Sequence, residues 1–246
     1  MIKSLEKAIL VLNCFIDKQP LGVTEISNEL GLYKSNVYNI LNTFKEMGYL
    51  SQDMETGKYS LGINIFSLSR ALIDNMSVTK IVSPMLQKIS DEANEVVYLA
   101  IPKDDELFYI DVAYPTSNKV LGGGPVTGER AKLFCTGAGK AILSRMPVEE
   151  VDKVLSCKRD KYTDYTITDE KLLRLEIEKA RKNGYALDNM ELILGMKCIG
   201  VAVMNHKGGV ECSLSISAPS LRMQSENIEK HSKILNRYRI EIEKMF

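Results

Sequence analysis

Apolar residues Val23, Ile26 and Leu30 fall on one side of a helix, and Val37, Ile40, Leu41 and Phe44 fall on one side of the next. Gly31 stands between them, and glycine takes the left-handed backbone that stops a helix at little cost. Thr24 is the expected cap of the first helix. The second helix then turns Ser35, Asn36, Tyr38, Asn39 and Thr43 outward. Upstream, Leu5, Ala8, Ile9, Leu12, Phe15 and Ile16 make the apolar face of a helix able to cover the other two. Downstream, residues 49–52 and 58–61 alternate as short strands around Asp53-Met54-Glu55-Thr56-Gly57, the pattern of a hairpin. Three helices and a two-stranded wing predict a winged helix-turn-helix over residues 1–62, the arrangement that sets its second motif helix in the DNA major groove.

The pattern changes after Gly62. Ile63, Phe66, Leu68, Ala71 and Leu72 predict a connecting helix over residues 63–75. A helix over 78–93 follows, with Ile81, Met85, Leu86 and Ile89 inward. Residues 95–101 and 107–113 read as strands split by Pro102-Lys103-Asp104-Asp105. Helices are expected over 139–145, 148–155 and 168–183, the last with Thr168 as cap, Asp169 and Glu170 in its first turn, and Gly184 as its stop. Strands return at 198–205 and 210–217, joined through His206-Lys207-Gly208-Gly209, and a terminal helix covers 224–244. Strands grouped around helices predict a second α+β domain over residues 76–246.

Charge changes this picture less than a DNA-binding reading would suggest. Lys3, Lys7, Lys18, Lys34, Lys45 and Lys58 are matched up to residue 61 by Glu6, Asp17, Glu25, Glu29, Glu46, Asp53 and Glu55. No broad basic footprint exists, so tight DNA binding would lean on Lys34 and Lys58, on helix ends facing phosphates, and on several copies per site. A helical hairpin solvated by Asn and Ser is the plainer alternative for this stretch alone. The whole chain carries 32 basic and 32 acidic side chains, which gives no pull toward nucleic acid or an anionic membrane. It has no apolar run of bilayer length and no signal-peptide pattern, so a cytoplasmic location and no membrane partner are expected. Cys14, Cys135, Cys157, Cys198 and Cys212 are scattered, and only His206 and His231 accompany them. Free thiols in a reducing compartment, and no metal or other cofactor, are the expectation.

Two places in the second domain look chemical. Thr136-Gly137-Ala138-Gly139-Lys140-Ala141 is a glycine-broken helix start, and free N–H groups at such a start bind anions such as carboxylates. In Ser213-Leu214-Ser215-Ile216-Ser217, strand alternation throws three serines onto one face. Glycines for a turn and serines on a wet strand face are the plain alternatives. The Gly139-Lys140 pair is no Walker loop, because Phe134 stands where its first glycine belongs and Ala141 follows the lysine. Gly122-Gly123-Gly124 fits no dinucleotide fingerprint, and no Gly-x-Ser-x-Gly elbow occurs. An enzyme acting on a small carboxylate would have Cys198 as nucleophile, with no base to serve it, and no enzymatic activity is expected.

From end to end the chain resembles the IclR family of bacterial transcription regulators. The resemblance is carried by residues 31–38 (GLYKSNVY), 57–62 (GKYSLG), 135–141 (CTGAGKA), 166–169 (TITD), 181–188 (RKNGYALD), 195–199 (GMKCI) and 214–219 (LSISAP). It implies a winged-helix DNA-binding domain, a linker helix and a GAF-like effector-binding domain, assembled as homodimers or homotetramers. It also implies a small-molecule site at Gly137 and Ala138, as backbone donors, with Asp188, Cys198, Ser215 and Ser217. An ionised Asp188 only accepts hydrogen bonds and would prefer a ligand hydroxyl. The expected effector is therefore a small hydroxy- or oxo-carboxylate or a sugar acid, its carboxylate at Gly137 and Ala138. Phe134 stands where the family commonly has His, and Val120, Gly123 and Ala131 would make a thinner cavity wall.

The reading that follows is a ligand-responsive repressor or activator of metabolic genes, a repressor by preference, bound to a double-stranded operator. Ser35, Asn36, Tyr38 and Asn39 would read bases, and Thr24, Lys34 and Lys58 would hold phosphates. A metabolite-sensing module whose winged helix binds protein instead remains the rival that the missing basic excess allows.

Overall fold

The computed structural model describes residues 1–117 and 127–246. Val120, Gly122, Gly123 and Gly124 lie outside the described residues. The chain divides into two compact units, Met1–Asn75 and Met76–Phe246.

The first unit runs α1 (Lys3–Asn13), α2 (Val23–Leu30), α3 (Lys34–Glu46), β1 (Leu50–Gln52), β2 (Tyr59–Leu61) and α4 (Asn64–Asn75). Val11, Phe15, Leu21, Ile26, Val37, Leu41, Leu50 and Tyr59 form its core. Leu21 and Tyr59 exchange both backbone hydrogen bonds, at 2.9 and 2.8 Å, so the segment before α2 is stitched to the wing. Gly31 closes α2 with φ 64°, as a left-handed stop. The cap of α2 is Gly22, not Thr24, which is exposed in the first turn. Glu25 takes over the capping, its carboxylate accepting the Gly22 N–H at 2.7 Å. The inward stripe of α1 also differs from the expected one. Val11 and Phe15 are fully buried with Ala8 and Leu12 beside them, a run at i, i+3, i+4, i+7, which turns Leu5, Ile9 and Ile16 to the outside. No residue of α4 is buried, and Phe66, Leu68 and Leu72 are exposed along it.

The second unit is a six-stranded antiparallel sheet in the order β5-β4-β3-β8-β7-β6. Its strands are β3 (Val96–Lys103), β4 (Glu106–Ala113), β5 (Arg130–Lys132), β6 (Ala186–Asn189), β7 (Met196–Met204) and β8 (Val210–Pro219). Its helices are α5 (Ser77–Ala93), α6 (Gly137–Leu143), α7 (Val148–Ser156), α8 (Glu170–Asn183) and α9 (Ser225–Glu243). Side chains alternate across the sheet. Val97, Leu99, Ile199, Val201, Leu214 and Ile216 face one way and pack with α5 and α9. On the opposite face α6, α7 and α8 cover a second core that includes Leu133, Phe134, Ile142, Leu155 and Leu173.

Three local expectations are corrected here. Pro102 does not break β3; it pairs with Leu107, and the turn tightens to Asp104-Asp105 because Asp104 accepts a φ of 57°. Asp169 rather than Thr168 caps α8, accepting the Leu172 N–H at 2.9 Å. Helix α6 begins at Gly137, not Gly139, after a 3-10 turn over Leu133–Cys135. Strands β5 and β6 were not expected, being too short to show an alternating run.

The seating of α6 rests on absent side chains. A Cβ on Gly200 would come 2.5 Å from the Gly137 carbonyl carbon, and one on Gly139 would come 2.2 Å from the Leu133 oxygen. Backbone therefore touches backbone where the start of α6 lies on β7. Gly200→Ala is expected to destabilise the protein by about 1–3 kcal/mol, the usual cost of overpacking. Urea unfolding of the variant beside the wild type checks this.

Candidate functional site

The antiparallel register sets the site. In one row across the sheet, Asp188 of β6 pairs with Cys198 of β7, Cys198 with Ser217 of β8, and Ser217 with Val96 of β3. In the next row on the same face stand Ala186, Gly200, Ser215 and Tyr98. Gly200 lacks a side chain there, so the first turn of α6 sits over it and brings the backbone of Gly137 and Ala138 beside Asp188, Cys198, Ser215 and Ser217. All six expected effector residues line one cavity of about 340 Å³. Ser213, the third serine of the alternating run, lies outside it and is buried with an unpartnered hydroxyl among the described residues.

The rest of the lining is largely apolar or aromatic and was missed in the sequence: Val96, Tyr98, Tyr109, Leu192, Ile193 and Met196. The rings of Tyr98 and Tyr109 meet edge to face at 5.5 Å. Ala131 is part of the wall, and Phe134 lies behind it in the second core, beside the ring of Tyr162. Strand alternation puts Tyr98 on a definite face, but only the pairing of β3 with β8 sets it opposite Ser215.

Burial dominates the electrostatics. Asp188 is 3% exposed and accepts the Glu191 N–H at 2.6 Å. Burial pushes its carboxyl up to about 7, with the Glu191 charge acting the same way and backbone N–H groups and Lys140 opposing. A carboxyl raised that far can donate as well as accept near neutral pH. Burial likewise pushes the Cys198 thiol up to about 12, and the thiol donates to Ser217 Oγ at 3.2 Å. A thiol so far from ionising, with no base bonded to it among the described residues, is poorly suited to nucleophilic attack. Lys140, whose role the sequence did not reveal, is fully buried and ion-paired with Glu191. Fifty-one positions separate the two, so no local pattern joins them. Among the described residues no group of His, Cys, Asp and Glu could hold a metal ion, and no helix is long and apolar enough to cross a membrane.

In the first unit Lys34, Ser35, Asn36, Tyr38 and Asn39 are all exposed along the outer face of α3, with Thr24 exposed on α2. Thr43 is exposed too, but its hydroxyl is turned back onto the Asn39 carbonyl at 2.8 Å. Lys58 of the wing is less free than expected, because its ammonium lies 3.1 Å from the Glu25 carboxylate.

Both units match models of one family: residues 4–54 the IclR helix-turn-helix domain, and residues 70–242 the C-terminal domain of the bacterial transcriptional regulator IclR. The chain is 29% identical over 236 residues to the HTH-type transcriptional regulator KdgR of Escherichia coli, covering 96% of this chain and 89% of that one. It is 28% identical over 236 residues to the HTH-type transcriptional repressor AllR of Klebsiella pneumoniae, covering 95% and 86%. An IclR homologue from Microbacterium hydrocarbonoxydans, solved as a complex with 4-hydroxybenzoate, superposes with a TM-score of 0.83 at 20% identity over 98% of both chains. With a winged helix-turn-helix at one end and a cavity-bearing α+β domain at the other, this chain belongs to the IclR family of transcriptional regulators.

Proposed function

We propose that the protein is a repressor of metabolic genes whose operator affinity is set by a small carboxylate bound in the second unit. The observation that carries this reading is the convergence of Gly137, Ala138, Asp188, Cys198, Ser215 and Ser217 on one cavity. The N–H groups that open α6 would hold the carboxylate, since they have no partner inside the helix. Ser215 and Ser217 would bond its oxygens from the sheet. The apolar and aromatic remainder of the lining suits the body of the ligand. This favours an acid with an apolar portion over one bearing hydroxyls all round. A homologue bound to 4-hydroxybenzoate, itself a ring with a carboxylate, supports the same class. The repressor sign is supported by the likeness to AllR.

On the DNA side, Ser35, Asn36, Tyr38 and Asn39 would meet base edges, with Asn36 and Asn39 able to pair bidentately with adenine. Lys34, Thr24 and the wing residue Lys58 would contact phosphate. The Glu25 carboxylate holds Lys58 in place and also cancels part of its charge. Affinity would then depend on several copies acting together. Exposed apolar side chains on α1 and α4, among them Leu5, Ile9, Phe66 and Leu72, support pairing of copies as a homodimer or homotetramer. The helix over residues 64–75 would serve as the linker through which effector binding changes the spacing of paired winged helices.

Two experiments test this. In a thermal-shift screen of hydroxy-, oxo- and aromatic carboxylates and sugar acids, a ligand at 100 to 1,000 times its Kd should stabilise the wild type by roughly 2.7–4 kcal/mol. Ser215→Ala/Ser217→Ala should abolish that shift. Acceptance of neutral aromatics alone, with every carboxylate rejected, would sink the proposed ligand class. In anisotropy titrations with an operator selected from random duplexes, Asn36→Ala and Asn39→Ala should each cost about 1–3 kcal/mol of sequence discrimination. Binding to unrelated duplex should hardly change. Equal losses on both duplexes would argue against a base-reading α3, and a saturating ligand that leaves operator affinity unchanged would argue against effector control.

A further inference from the structure

Three ionisable side chains sit together behind and beside the cavity: Asp188 on β6, Glu191 in the loop that follows, and Lys140 on α6. They are 3%, 2% and 1% exposed. The Lys140 ammonium is engaged with one oxygen of Glu191, which also accepts the Asn189 N–H at 3.3 Å. The other oxygen, Glu191 Oε2, is buried with no hydrogen-bond partner among the described residues. Asp188 receives backbone N–H groups, from Glu191 at 2.6 Å and from Leu192. Two carboxylates thus lie near one ammonium, which is engaged with Glu191. Full ionisation would leave an uncompensated negative charge beside a cavity walled mainly by apolar groups, which is costly.

Among the described residues, the other groups around Asp188 do not supply a compensating charge. Cys198 faces it from β7, Tyr109 from β4 and Cys135 from the 3-10 turn before α6. All three are acids that burial keeps protonated through neutral pH: both thiols are pushed up to about 12 and the Tyr109 phenol is pushed upward too. Tyr98 of β3, pushed up to about 12, behaves alike. Glu129 and Arg130 line the same cavity, but the Arg130 guanidinium is directed to Glu106 at 3.8 Å and lies 4.8 Å over the Phe108 ring. His231 belongs to α9, across the sheet.

An incoming carboxylate would add a further negative charge where the buried ammonium is already engaged. We infer that the effector is taken up together with one proton, which Asp188 carries and donates as a hydrogen bond to the ligand carboxylate. The inference rests on the carboxylate reading of the site and adds a proton to it. The balance is simple: one proton leaves the buffer, one O–H bond forms on Asp188, and no bond of the ligand breaks. The burial that raises the Asp188 carboxyl to about 7 makes this protonation accessible near neutrality. Asp188 is then what admits an anion, and the Glu191–Lys140 pair fixes the loop that holds it. The predicted consequence is a sensor whose effector affinity falls in alkaline conditions.

Titration calorimetry of the full chain between pH 6 and 9 tests this, in phosphate and in Tris, with pyruvate, benzoate, 4-hydroxybenzoate and gluconate as probes. Carbon-13 NMR of aspartate carboxyls follows Asp188 in the free protein, its signal identified by its loss in Asp188→Asn. The expected result is uptake of nearly one proton per carboxylate bound at pH 8.5 and far less at pH 6. The Kd should weaken about tenfold per pH unit above the Asp188 titration. Asp188→Asn, which keeps a donor and carries no charge, should bind with an affinity independent of pH and no proton uptake. Carboxylate binding at pH 8.5 without proton uptake overturns the inference, as does uptake that persists in Asp188→Asn. A carboxyl signal titrating in the ordinary aspartate range overturns it without any ligand. If Asp188 titrates near neutrality and none of the four probes binds, the carboxylate reading of the effector fails and takes the proton-coupled form with it.

Discussion

The close approach of α6 to β7 is the constraint on which the effector unit depends. Gly137 and Gly200 meet backbone to backbone, and Gly139 lies against the turn before the helix. A side chain at Gly137 or Gly200 would lift α6 off the sheet, and one at Gly139 would push the helix away from the turn before it. That single contact creates the cavity floor, because it puts an open helix start over a row of polar side chains on three adjacent strands. It also carries Lys140 into the interior, where a lysine is stable only with a partner. Glu191 is that partner, and the loop that bears it is tied down by Thr163 and Thr166, whose hydroxyls bond the backbone of Met190 and Glu191. The buried ion pair is therefore a fastening for one wall of the cavity as well as an electrostatic feature of it.

Polar groups inside this unit are arranged so that one side of the sheet is inert and the other chemical. Leu214 and Ile216 face α5 and α9, while Ser215 and Ser217 face α6, so a strand of strict alternation separates core packing from the cavity lining. Low local polarity then magnifies every charge on the α6 side. It pushes the acids Cys198, Tyr98 and Tyr109 of the cavity and the nearby Cys135 away from ionisation, and it raises the Asp188 carboxyl to about 7. The DNA-facing unit works differently. Its outer helix face is solvated and nearly uncharged, and Lys58 is shared with Glu25. Hydrogen-bond pattern rather than bulk charge is the property such a face offers to a duplex.

Much of the architecture could be read from periodicity, because helices α2, α3 and α5 and strands β7 and β8 carry complete apolar stripes. What failed failed for local reasons. Thr24 and Thr168 looked like caps, but Gly22 and Asp169 hold those positions, one residue off or more, and a cap is decided by backbone geometry that composition only suggests. Leu5, Ile9 and Ile16 looked inward along with Phe15, and the core kept Phe15 but took Val11 in place of the other three, since a helix with apolar residues on two faces has no preferred side until partners are present.

The sequence by itself determined the alternation that aligns Ser215 with Ser217, the glycines that make a helix start open, and the polar outer face of α3. Each follows from the spacing of neighbours along one element. Tertiary structure alone decided that Asp188, Cys198 and Ser217 stand in one row, since strand register is a relation between distant segments. It alone paired Lys140 with Glu191 and shifted Asp188 toward neutrality. Burial and long-range contact belong to the folded chain, and no local pattern encodes how much water a carboxylate will lose.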